Sequence, residues 1–246
     1  MIFKNGQSIQ TIRGAEPKQL SEAVKKLANE AEAAGDASSG GFAESSTSAS
    51  WVASEPAKGY SNITDQVDIK GLELLNFDGD FGNVRTLFES TKPKALAGGR
   101  GSSKDWVESD TDDQLMLYVP FQSTLKIHSL QLTSIPSSSD DDEPPMRPKT
   151  IQIYTNRSHI LGFEEADDIT PTQSITLETR DWDTTTGTAK IELRFVKFQN
   201  VSSLIIFVVN GEGEGEKVRI DRVRIIGESG EKRDPGKLEK IGDDHD

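Results

Sequence analysis

The chain has 246 residues, of which 33% are hydrophobic and 28% charged, and its formal net charge is −13. That length holds one substantial domain with appendages, or two small ones. The negative charge argues against a nucleic-acid partner, whose affinity comes mostly from Lys and Arg displacing counterions. The absence of cysteine removes disulfides, thiolate catalysis and Cys-ligated zinc.

Residues 1–31 read as a small ββα unit. Ile2-Phe3-Lys4 is a short strand, Asn5-Gly6 a hairpin turn, and Ser8 to Arg13 the return strand. Pro17 suits a helix first turn, and Leu20, Val24 and Leu27 share one helical face. Two strands and one helix bury too little apolar area to stand alone. Residues 32–59, rich in Ala, Ser, Gly and Glu, read as a flexible linker. The Gly98–Gly101 stretch and the acidic run Asp140–Glu143 read as loops.

Seven strands are predicted between these loops: Leu115–Phe121, Leu125–Leu132, Thr150–Tyr154, Gln173–Leu177, Ile191–Phe198, Leu204–Val209 and Val218–Ile226. Turn signals separate them and no long helix intervenes, which predicts an all-β fold, an antiparallel β-sandwich or barrel. Two of the strands change phase. Leu125 and Ile127 are followed by Leu130 and Leu132, and Val218 and Ile220 by Val223 and Ile225. Such a slip in a period-2 pattern predicts a bulge or a crossing between sheets. Leu204 to Val209 is unbroken apolar, as a strand buried on both faces is. Residues 228–246 read as a flexible tail.

Candidate chemistry is sparse. The Ser109–Asp113 cluster has carboxylates at a spacing that suits Ca²⁺, but it lacks the glycine and distal glutamate of an EF-hand loop, so a solvated acidic cap is the preferred reading. His128 and His159 have no evident triad partner in sequence. Trp106, Trp182 and Tyr154 are candidates for stacking on a sugar ring, with Trp182 read as an exposed turn residue. No catalytic residue, metal ligand or cofactor is assigned. The basic residues Arg194, Lys197, Arg219, Arg222 and Arg224 cluster in the last strands, away from the acidic loops, and are the candidate partner-binding patch.

A family resemblance rests on landmarks in order: Leu74-Leu75-Asn76, Glu108 to Leu115 leading into Leu117–Phe121, Pro148 to Asn156, Phe163–Ala166, Pro171–Gln173, the run Leu193 to Asn210, and Arg219-Ile220 with Ile225–Gly227. Over about residues 60–227 the chain resembles the PITH domain, the module that follows thioredoxin in proteasome-associated thioredoxin-like proteins. The resemblance implies a galactose-binding-like jelly roll that docks, as a monomer and without catalysis, on subunits of the 26S proteasome regulatory particle. The short apolar start and the lack of an apolar run of membrane length give a cytoplasmic and nuclear setting with no membrane partner as the expectation, and the negative charge sets nucleic acid aside. Residues 1–31 resemble the last two strands and final helix of thioredoxin, whose Cys-x-x-Cys portion would precede Met1. His245, flanked by carboxylates in the tail, is a further partner-binding candidate, because the proteasome lid carries a zinc deubiquitinase that a mobile imidazole could reach. The alternatives are a carbohydrate- or small-ligand-binding jelly roll, and a fragment of a thioredoxin-like disulfide reductase.

Overall fold

The computed structural model describes residues 2–4, 7–10, 56–97, 104–136 and 144–229. The predicted helix after Pro17, the Gly98–Gly101 and Asp140–Glu143 loops, most of the linker and His245 lie outside them. The chain divides into two units, Met1–Ser45 and Ser46–Asp246. In the first, β1 (Ile2–Lys4) and β2 (Gln7–Gln10) pair antiparallel with Lys4 opposite Gln7.

The second unit is organised by one long strand. The predicted strands Leu115–Phe121 and Leu125–Leu132 are a single 19-residue strand, β6 (Leu115–Thr133). Nothing between them reverses the chain. Pro120, which lacks an N–H, accepts from the Asp68 N–H through its carbonyl instead. The two halves of β6 pair with different strands and serve the two layers of the sandwich, within one continuously hydrogen-bonded eight-stranded sheet. Its first half lies between β4 (Glu73–Leu75) and β10 (Val201–Gly211), and β10 continues through β7 (Pro148–Thr155) to β8 (Gln173–Thr176). Its second half lies between β9 (Thr188–Glu192) and β12 (Arg222–Ser229), with β3 (Ser61–Asn62) beyond β12. All these pairs are antiparallel, and a short separate pair joins β5 (Val107–Glu108) to β11 (Arg219–Ile220). The antiparallel β-sandwich expected from the strand pattern is thus observed.

The core lies between the two halves. Leu115, Leu117, Val119, Leu204, Ile206 and Val208 from one layer join Leu130, Leu132, Ile191, Val223 and Ile225 from the other. The alternate residues Met116, Tyr118, Ile205 and Phe207 turn to the opposite face, where the short helix α1 (Phe163–Asp168) and Leu161 cover them. The unbroken apolar run of β10 is therefore buried on both sides, as its sequence requires.

Both phase changes have structural causes. In β6, Ser129 faces Ile226 and Ile127 faces Gly227, so His128 is the extra residue of a bulge. In the last segment the chain leaves β11 at Asp221 and enters β12, changing partner from β5 to β6. One predicted strand needs correction. Ile191–Phe198 is strand only to Glu192, and Phe195–Phe198 is a 3-10 turn. The ladder between β9 and β6 ends at Ser129 opposite Glu192, beside the His128 bulge. Beyond it the Arg194 N–H is captured by the side chain of Gln173, at 2.8 Å from Oε1.

Candidate protein-interaction site

The five cations read as one basic patch separate into two groups. Arg219, Arg222 and Arg224 are only 2%, 1% and 8% exposed, so they do not form the docking face expected of them. Arg219 makes a bidentate pair with Asp221, at 3.0 Å from Nε and 2.7 Å from Nη2, and its guanidinium lies 3.8 Å from the Trp106 ring centre. Arg222 bonds Asp105 through Nη2 at 2.8 Å and donates to the carbonyls of Thr91, Asp105 and Asp221. Burial pushes the Asp221 carboxyl up against the pull of Arg219. It also pushes Arg224 down to about 10, with Arg222 adding repulsion. Arg219 and Arg222 knit the β11–β12 corner to residues 91–106, and Arg224 is buried beside them, so their role is internal.

Beside that cluster, Glu108 is buried and accepts the indole N–H of Trp106 at 2.6 Å. Desolvation raises its carboxyl above the usual value of 4.5, outweighing the Trp106 bond and the Arg219 charge. A pKa raised by folding adds stability that is complete below the unfolded value and is lost as pH rises through the folded one. Glu108→Gln keeps an acceptor for Trp106 and removes that loss. Melting curves between about pH 4 and pH 7 should therefore fall for the wild type relative to the variant as pH rises. A parallel pH response of the two proteins would refute this assignment.

Arg194 and Lys197 behave differently. Both are exposed, and neither forms an ion pair among the described residues. They flank Val196, which is 88% exposed, on the 3-10 turn. The turn is fixed from below. Leu193 and Phe198 at its two ends are buried in the core. Leu193 N–H donates to the His128 carbonyl at 3.0 Å, and Lys197 N–H to the Arg194 carbonyl at 2.7 Å. Gln199 Nε2 donates to the Phe195 carbonyl at 2.8 Å, and Lys197 Nζ to that of Thr172 at 3.0 Å. Phe195 continues the apolar surface toward His128 and Tyr60, whose rings lie 4.1 Å apart, with Phe195 at 5.8 Å from Tyr60. Val196 carried no signal in sequence, because a strand reading of Ile191–Phe198 leaves its orientation open.

The other candidates are not brought together. Tyr154 is buried beneath α1, where its hydroxyl donates to Gln152 Oε1 at 2.6 Å and lies 3.0 Å from the Ala166 carbonyl oxygen. Trp182, read as exposed, is instead in the core between the layers with Arg147 over its ring. Trp106 is half-buried under Arg219, so the three aromatics make no common platform. Two of the carboxylates in the Ser109–Asp113 cluster serve as internal acceptors. Asp112 takes bonds from Asn76 and Gln114, and Asp113 takes one from the Gly211 N–H. Among the described residues no group of three or more His, Asp and Glu is arranged to hold a metal ion.

The described residues thus form an antiparallel sandwich organised by one long strand, with an anchored apolar-basic turn on its surface. The PITH domain profile matches residues 53–243, and the chain belongs to the PITH domain family. Thioredoxin-like protein 1 of Schizosaccharomyces pombe is 34% identical over 244 residues, 98% of this chain and 72% of that protein. PITH domain-containing protein CG6153 of Drosophila melanogaster is 28% identical over 172 residues, 70% of each chain. Among solved structures, a family 32 CBM from C. perfringens NanJ in complex with galactose is similar, with a TM-score of 0.42 and 10% identity. That likeness covers 68% of this chain and 98% of the other.

Proposed function

We propose that this chain is a non-catalytic docking module that attaches a thioredoxin-like protein to the regulatory particle of the 26S proteasome, in the cytoplasm and nucleus. The observation that carries the reading is membership of the PITH family across residues 53–243, joined to a thioredoxin-like relative that aligns with 98% of the chain. Two further points support it. The chain has no cysteine for thioredoxin-type exchange. The run from Leu193 to Asn210 that carries the family resemblance also presents the exposed turn at Val196.

The expected result is co-purification of the full chain with affinity-isolated regulatory particles, under washes that retain known weakly held subunits. Absence from those particles would contradict the reading. An insulin-reduction assay on the same preparation should show no turnover, and thiol-dependent turnover would refute the non-catalytic assignment.

A further inference from the structure

We propose that the Arg194–Lys197 turn is the contact point for an acidic segment of a protein partner, with Val196 as the apolar anchor and Arg194 and Lys197 as the ionic arms. This rests on the docking reading above and specifies its surface. Single exposed valines are common and mean little alone. This one stands on a turn pinned at both ends by buried Leu193 and Phe198, and braced by Gln173 and Gln199. Such a turn loses little conformational freedom on binding, and pre-organisation of that kind converts contact area into affinity.

The charge argument selects the partner. On a chain of net charge −13, two exposed cations without carboxylate partners among the described residues make a local positive point. The carboxylates nearest in sequence do not neutralise it, since Glu192 is engaged with Lys190 at 3.2 Å. Over a screening length of roughly 8 Å at physiological salt, the charges nearest the turn set most of the potential that a bound segment meets. An Arg guanidinium suits a carboxylate in particular, because it can donate two parallel bonds. A membrane is disfavoured, since electrostatic lipid binding draws on clusters of about four to eight basic residues. A nucleic acid is disfavoured by the overall negative charge.

The test uses the full chain on immobilised 26S regulatory particles. V196D and the pair R194E/K197E should each bind at least about tenfold more weakly than wild type. The pair K149E/R180E makes the same change in net charge on exposed residues, one on β7 and one before Trp182. It should bind within about twofold of wild type. R194Q/K197Q should also lose most of the salt dependence that the wild type shows. Thermal melts check that the variants fold, and V196D, at so exposed a position, should melt with the wild type. If wild type binds and all the variants bind equally well, the site is wrong while the docking reading stands. If wild type itself does not bind, the docking reading fails. If instead Arg194 and Lys197 are needed for sedimentation with phosphatidylserine vesicles and not for the proteasome, the partner class is wrong.

Discussion

Asp221→Leu should destabilise the domain by about 3–5 kcal/mol, the range for removing one member of a buried ion pair. The variant leaves the Arg219 guanidinium, 2% exposed, without its bidentate acceptor, and leaves the Ile135 N–H without the carboxylate oxygen it reaches at 2.8 Å. A carboxylate in that position has a desolvation cost of its own, visible in the upward displacement of its pKa. The pair is therefore not a net source of stability relative to apolar packing, and its loss is costly because of what remains behind. Arg219→Met together with Asp221→Leu should accordingly recover part of the loss. Urea unfolding of the two single variants and the double variant measures the coupling. Additive losses would show that the two side chains act independently and would refute this account of the corner.

Gly227→Ala should cost at least about 3 kcal/mol, the upper end of the usual range for overpacking. A Cβ at this position would lie 2.1 Å from the Lys126 carbonyl oxygen and 3.0 Å from the Ile127 Cα, both backbone atoms of the neighbouring strand. Gly227 faces Ile127 where His128 is looped out, so the strands approach closely because the bulge compresses them. Neither strand can yield without disturbing the ladder between β6 and β12. The same measurement on Gly79, whose added Cβ meets nothing within 4 Å, provides the contrast. A Gly227→Ala variant as stable as wild type would mean that the bulge is not a fixed feature.

The sandwich was readable because its strands carry their burial in their spacing. Leu204 to Val209 has apolar residues at every position because Leu204, Ile206 and Val208 meet the other layer while Ile205 and Phe207 meet α1. The slip between Ile127 and Leu130 was readable as a bulge or a crossing between sheets, either of which changes the parity of inward positions, and the pairing of Ser129 with Ile226 and Ile127 with Gly227 decides for the bulge. The strand at Ile191–Phe198 misled because Ile191, Leu193 and Phe195 alternate whether the chain continues straight or turns after Glu192. What ends the strand is Gln173, 21 residues earlier, taking the Arg194 N–H.

The candidate site was only partly readable for a related reason. Arg194 and Arg222 look alike in sequence, each a cation among apolar residues on a predicted strand. They differ through distant partners: Arg222 meets Asp105, 117 residues away, whereas Arg194 meets no acid among the described residues. Burial of a charge depends on such a partner. Periodicity within a strand does not report it, so the five cations were grouped when only Arg194 and Lys197 share a surface. Val196 became visible only once the turn was known.

The proteasome assignment is tested most directly by titrating purified 26S regulatory particle against the labelled full chain and recording equilibrium binding at physiological salt. Docking through the PITH domain predicts saturable binding that excess unlabelled chain displaces. A flat titration, with particles shown to be intact and active, would contradict it.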